Sequence, residues 1–154
     1  MLKTRYLILT LLAALVAGCS QGVADMKNRV ELPCADKPNC VSTQDSRKEH
    51  HLDPYVLKKG VTINQVEAAA LTLPRSKVIS KSGDYLHITC TTKILRFTDD
   101  LELEIKGEKL LVRSESRVGY SDFGVNRSRA EALRNILLEK ELIVPNENVD
   151  NKSE

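Results

Sequence analysis

The sequence contains no Trp and only two Phe in 154 residues. A core with so few aromatic rings must be filled mainly by aliphatic side chains. There is no Gly-x-Ser-x-Gly elbow, phosphate loop or His-Glu-x-x-His helix, so the common hydrolase, nucleotide and metalloprotease signatures are missing. Charge of one sign is not in excess either, with 23 basic against 21 acidic residues. A nucleic-acid partner usually leaves a strong basic surplus, and none is expected here. No apolar run reaches the ~20 residues that a spanning helix needs, and there is no internal repeat.

What is present begins at the N-terminus. Met1-Leu2-Lys3-Thr4-Arg5 is followed by an apolar run from Tyr6 to Val16, broken only by Thr10. This is the charged-then-apolar layout of an export signal. It ends Val16-Ala17-Gly18-Cys19, and a cysteine directly after small residues resembles the bacterial lipobox. The resemblance implies that residues 1–18 are a signal peptide and that the Cys19 thiol receives a diacylglyceryl group. Cleavage before Cys19 would free an amine for a further acyl chain such as palmitate. Two or three acyl chains anchor firmly, because each buried methylene contributes about 0.8 kcal/mol. By resemblance to sorted lipoproteins, Ser20 after the cysteine points to the outer membrane, with the domain facing the periplasm. Losing Lys3 and Arg5 would leave 21 basic against 21 acidic residues, a neutral mature chain of one-domain size.

Export favours disulfides. Cys34 and Cys40 flank a loop that can turn back through Pro38 and Asn39, so a Cys34–Cys40 bond is predicted. Cys90 falls in a strand pattern on the face of Leu86 and Ile88, which suits a buried free thiol. The alternative pairs Cys90 with Cys34 or Cys40. Ser20 to Glu31, within a 19–31 tether, is polar. Leu32 to Pro54 is rich in Pro, Asn, Asp and Ser and reads as an irregular arm pinned by the disulfide. The domain as a whole is expected over 32–142, followed by a polar tail, 143–154, of disordered composition.

Thr62-Ile63-Asn64-Gln65 matches a helix capping box, with Val61 and Val66 placed as a hydrophobic staple. Ile63, Val66, Ala70 and Leu73 make one apolar stripe, and Pro74 stops it. Strands follow. Val78-Ile79 leads through Ser82-Gly83 into Tyr85–Thr92, where Leu86, Ile88 and Cys90 alternate with His87, Thr89 and Thr91. Leu101 to Ile105 alternates too. Gly107-Glu108 suits a two-residue hairpin turn, returning through Leu110 to Ser116. That register puts Ile105 opposite Leu110, Leu103 opposite Val112, and Glu102 opposite Arg113 as a cross-strand ion pair. A last helix, Asn126 to about Lys140, is expected to be capped by Asn126. Its stripe is Ala130, Leu133, Ile136 and Leu137, and an Arg127–Glu131 pair is expected on its wet side. The predicted fold is α+β: an antiparallel meander packed against two helices in a single two-layer domain.

Residues 113–129 are the densest polar segment. Arg113, Arg117, Arg127 and Arg129 flank a turn containing Ser114, Ser116, Tyr120 and Asp122, which feeds a helix at Asn126. Free amides at a helix start favour anions, and arginine forks match carboxylate or phosphate. Asp99, Asp100 and Glu102 lie just upstream. One reading is an anion-binding corner for a small molecule, lipid headgroup or protein partner. The other is a rigid corner in which these acids neutralise those arginines while Tyr120 and Asp122 bond the backbone. An enzymatic alternative, a small periplasmic hydrolase or transferase, would use Asp99, Asp100, Glu102 and His87. Adjacent strand residues point to opposite faces, however, which separates Asp99 from Asp100. His50-His51 near Cys34 and Cys40 lacks the spacing of common zinc sites, so no metal or cofactor is implied.

Three segments carry a wider resemblance. Leu32-Pro33-Cys34 with Lys37-Pro38-Asn39-Cys40-Val41-Ser42-Thr43-Gln44 resembles the opening signature of the bacterial and plastid family called domain of unknown function 1499. Phe97-Thr98-Asp99-Asp100-Leu101-Glu102 looks like its central motif, and the run Arg113 to Arg127 like its third. The resemblance covers residues 32 to about 140. It implies that arm, acids and arginine corner belong to one shared site or scaffold, and it carries no activity with it.

Overall fold

A computed structural model describes residues 28–145. The expected signal sequence and Cys19 lie outside the described residues, as do most of the expected tether and the expected tail beyond Pro145. Among the described residues no helix is long and apolar enough to cross a membrane.

Among the described residues there are six strands and two helices, with four consecutive strands between the helices. They are β1 (Cys40–Ser42), β2 (Tyr55–Val56), α1 (Ile63–Ala70), β3 (Ser76–Ser82), β4 (Tyr85–Thr91), β5 (Thr98–Lys106), β6 (Lys109–Ser116) and α2 (Val125–Glu139). One open antiparallel sheet runs β1-β6-β5-β4-β3, with β2 sharing the outer edge of β6 beside β1. The helices pack on one face, giving the α+β, two-layer domain the sequence predicts. The hairpin register is also as predicted: Lys106 faces Lys109, Ile105 faces Leu110, Leu103 faces Val112 and Glu102 faces Arg113.

The helix face is aliphatic because the alternation of β4, β5 and β6 delivers Leu86, Ile88, Leu101, Leu103, Leu110 and Val112 to it, each at most 1% exposed. Helix α1 adds Ile63, Val66, Ala69 and Ala70, and α2 adds Ala130, Leu133 and Leu137. Val61 packs against this core, as a staple to Val66 requires. The Gln65 side-chain oxygen accepts the Thr62 backbone N–H at 2.9 Å. Cys90 is a buried free thiol, pushed up in pKa chiefly by burial.

Two segments depart from expectation. The arm is not wholly irregular. Its β1 pairs with β6 from Cys40 opposite Glu115 to Ser42 opposite Arg113, and it puts Val41 and Leu52 into the core. The sequence pattern missed β1 because three residues are too few to show a period. Asn28 to Glu31, grouped with the tether in sequence, belong to the folded unit: Val30 is fully buried and Arg29 bonds the sheet. The core cluster itself runs from Val41 to Ile143, so a chain beginning after Cys19 retains every described core residue.

Candidate functional site

The predicted site residues divide between the two faces of the sheet. Asp99, Ser114 and Ser116 lie on the helix face, since Asp99 pairs with Ser116 across strands and Leu101 with Ser114. Asp100, Glu102 and Arg113 lie on the outer face with His87. The run Asp99-Asp100 therefore serves two separate networks, as the two-residue strand period demands.

On the helix face, Arg129 of α2 holds Asp99 through Nη2 at 2.5 Å. Its Nη1 donates to Asn126 Oδ1 at 2.6 Å and to Ser114 Oγ at 3.1 Å. Asn126, fully buried, donates through Nδ2 to the Asn39 carbonyl (3.0 Å) and to Ser116 Oγ (2.9 Å). Ser114 Oγ donates to Asn126 Oδ1 at 2.6 Å. Asn126 is therefore not the helix cap. Gly124 occupies the N-cap position, and Asp122, two residues before it, supplies the acceptors: its two oxygens accept the backbone N–H groups of Gly124 at 3.0 Å and Asn126 at 2.7 Å. An acid there also faces the positive end of the helix dipole.

On the outer face, His87 and Asp100 are both almost wholly buried. His87 Nε2 donates to Asp100 Oδ1 at 2.8 Å. An ionised carboxylate can only accept, which assigns the proton to Nε2. Arg117 meets the same carboxylate through Nε and Nη2. Burial alone would raise the Asp100 pKa, but the His87 and Arg117 contacts outweigh it and hold the carboxyl below its ordinary value. Glu102 does not pair with Arg113. Its carboxylate takes the Arg29 backbone N–H at 2.7 Å, the Arg29 side chain at 3.1 Å and the Tyr85 hydroxyl at 3.1 Å. Arg29 also reaches Glu115 at 2.7 Å. Burial pulls its guanidinium pKa down, yet the charges of Glu115 and Glu102 raise it overall. The Tyr85 phenol is pushed up, first by burial and then by the Glu102 charge.

Arg29 is the residue that the sequence does not reveal. It sits in a polar run with no periodic pattern. The available signal is indirect: alternation puts Asp100, Glu102, Glu104 and Glu115 on one face, more acid than Arg113 and Arg117 can balance.

Four further arginines, Arg47, Arg113, Arg127 and Arg134, hold the arm. Arg113 Nη1 donates to the carbonyls of Leu32 and Pro33, both at 2.9 Å. Its Nη2 reaches Glu115 at 3.1 Å, while its buried Nε has no partner among the described residues. Arg127 donates to the His51 and Glu49 carbonyls at 2.8 and 3.0 Å. The expected Arg127–Glu131 pair is replaced by Arg134–Glu131 at 3.4 Å. Arg134 also donates to the Pro54 and Asp53 carbonyls and stacks over the Tyr55 ring at 3.7 Å. Arg47 grips Asp45 and donates to the Cys34 carbonyl at 2.6 Å. An irregular arm has few strand partners for its carbonyls, and arginine forks supply them.

The Cys34–Cys40 disulfide closes the arm. His50 and His51 spend Nδ1 on the Cys40 and Asp45 carbonyls, at 2.9 and 2.7 Å. With the cysteines bonded to each other, these four side chains do not converge on a metal.

One end of the sheet is open. The 92–97 loop and the 117–124 loop border a groove of about 480 Å³, lined by Ile94, Leu95, Phe97, Val118, Phe123 and Val125 above Asp99 and Ser116. A smaller recess of about 340 Å³ lies alongside, between Pro74, Cys90 and Arg129. Tyr120 does not bond the backbone corner; its ring stands 70% exposed. Phe123 is 97% exposed and has φ 53°, a left-handed conformation uncommon for a bulky side chain.

No curated protein and no solved structure matches the chain. A family match spans the disulfide arm, both acidic networks and nearly all of α2, though it begins beyond Arg29. Residues 32–137 fit the family described as Protein of unknown function (DUF1499), and the chain belongs to that family.

Proposed function

We propose that this chain is a lipid-anchored protein of the bacterial cell envelope, held at the outer membrane through Cys19, whose domain is a non-catalytic binding module. The observation that carries the non-catalytic part is the fate of the titratable groups. Asp99, Asp100, Glu102 and His87 are each at most 2% exposed and each is bonded to protein partners. A hydrolase or transferase needs such groups open to substrate. Their division between two faces argues further against one acidic centre.

The same reasoning moves binding away from the arginine corner. Arg113, Arg117, Arg127 and Arg129 all donate to protein acceptors, so an incoming anion would have to displace internal partners. The groove at the end of the sheet has no such competitor and is the better binding surface. The Cys34–Cys40 bond fits an oxidising compartment, which supports export.

Labelling cells with radioactive palmitate tests the anchor. The wild type should carry label and fractionate with membranes, and Cys19→Ala should do neither. The binding module is tested by thermal shift of residues 20–154 against anionic metabolites. Arg117→Ala should lower Tm outright. A ligand-induced shift that vanishes in Arg117→Ala with the melt unchanged would restore the arginine corner as the site.

A further inference from the structure

We propose that the end of the sheet formed by the 92–97 and 117–124 loops is a docking surface for an anionic phospholipid bilayer. The inference deepens the binding-module reading and rests on it for the orientation of the anchored domain.

Single exposed hydrophobic residues are ordinary on a protein surface, whereas a contiguous group rimmed by charge marks an interaction site. Here Ile94, Leu95, Tyr120 and Phe123 are 86%, 68%, 70% and 97% exposed, and Phe97 and Val118 join them across the groove. They come from two loops that the fold holds together. Thr92 N–H donates to the Phe97 carbonyl at 2.9 Å to close the first, and Arg117 N–H donates to the Thr98 carbonyl at 3.2 Å to tie the second to it. The apolar side chains thus stand on a fixed base.

Charge selects the occupant. Lys93 and Arg96, both exposed, bracket Ile94 and Leu95 in the first loop. Neither makes an ion pair among the described residues, and Arg75 beside them spends only its Nε, on the Thr91 carbonyl. The one acid within these loops is Asp122, whose oxygens are taken by the start of α2. A chain expected to be neutral once mature therefore has an apolar tip with an uncompensated positive rim. Apolar side chains that enter the headgroup region, with Lys and Arg at its level, match a negatively charged lipid surface. Tyrosine is suited to the same interface.

The anchor permits this pose. Asn28 is fixed to Glu104 at 2.9 Å, and β5 runs from there to Thr98 at the tip, about 20 Å at strand spacing. The nine residue steps from Cys19 to Asn28 can extend to about 30 Å. Lipid and tip can therefore meet one bilayer.

The absence of Trp makes the test direct. Residues 20–154, without the lipid, carry Phe123→Trp and are mixed with vesicles of phosphatidylcholine alone or with phosphatidylglycerol. Expected are a blue-shifted emission on the anionic vesicles, quenching by brominated acyl chains, and binding at least about tenfold weaker without phosphatidylglycerol. Adding Lys93→Glu and Arg96→Glu should abolish the shift without changing Tm. Absence of a shift from a natively melting protein, or equal binding to both vesicle types or by the charge-reversed variant, would overturn the proposal and leave the tip to a protein partner. Palmitate label at Cys19 without vesicle binding would sink the docking surface alone. Vesicle binding without label would sink the anchor alone.

Discussion

Arg29 and Glu102 are 73 residues apart and hold each other from two directions: the Arg29 backbone N–H meets Oε2 at 2.7 Å and its side chain meets Oε1 at 3.1 Å. The contact ties the first described residues to the middle of β5. Glu102 is 2% exposed on its side chain and Arg29 32%, so the carboxylate depends on the arginine more than the reverse. Arg29→Ala keeps the backbone N–H and the Tyr85 hydroxyl on Glu102 and removes only the guanidinium, so the loss should fall below the roughly 3–5 kcal/mol of breaking a fully buried pair. The variant should still destabilise by more than the roughly 0.5 kcal/mol usual for a surface substitution. Urea denaturation measures it; a loss within ordinary surface limits would mean that water replaces Arg29 freely.

Capping gives a second prediction. Asp122→Ala removes the acceptors of the Gly124 and Asn126 N–H groups and a third contact, from Asn126 Nδ2 at 2.8 Å. Loss of an N-cap costs about 0.5–2 kcal/mol, and the upper part of that range is expected because Asn126 is buried. Asp122→Asn should recover part of the loss, since an amide oxygen still accepts. Thermal melts of the two variants compare them directly.

The disulfide supports a third. Cys34 and Cys40 enclose a short loop, with a sequence separation of six, for which the chain-entropy account gives about 2 kcal/mol. The arm is also held by arginine-to-carbonyl bonds and by β1, so Cys34→Ala with Cys40→Ala should loosen it without unfolding the sheet. Limited proteolysis should then cut between residues 32 and 40 while the rest of the domain resists. General degradation would show that the bond maintains the whole fold.

The sheet was legible because its signals are local. Leu101-Glu102-Leu103-Glu104-Ile105 alternates, and Gly107-Glu108 allows one tight return, so the hairpin register follows without any long-range information. The same register carries no information about who pairs with whom when a third segment arrives. Glu102 faces Arg113 across the strands, yet takes Arg29, while Arg113 turns to the carbonyls of the arm. Asn126 shows the same limit: a good capping residue by type, it is drawn into the interior by Ser114, Ser116 and Arg129, and the cap position falls to Gly124, with Asp122 accepting the free N–H groups. The open apolar tip was hidden for a related reason. Ile94, Leu95 and Phe123 read as ordinary hydrophobic residues until the fold leaves them outside the core.

Acid should act on two buried carboxylates, Asp100 and Asp45. Asp100 lies below its ordinary value of 3.8 because the His87 and Arg117 contacts outweigh burial. Asp45, with 2% side-chain exposure, is held well below the same value, first by the Arg47 side chain. In each case the unfolded chain takes up its proton at a higher pH than the folded one. The stability contributed is therefore complete above about pH 5 and is lost as pH falls through about 4 and below. Unfolding free energy measured between pH 7 and 3 should stay nearly level at first and then drop. Asp100→Asn should be less stable at pH 7 but should lose less on acidification, because it no longer has that proton to bind. An identical acid slope in the variant would show that Asp100 is not one of the groups responsible, and would leave the effect to Asp45 and its arginine in the arm.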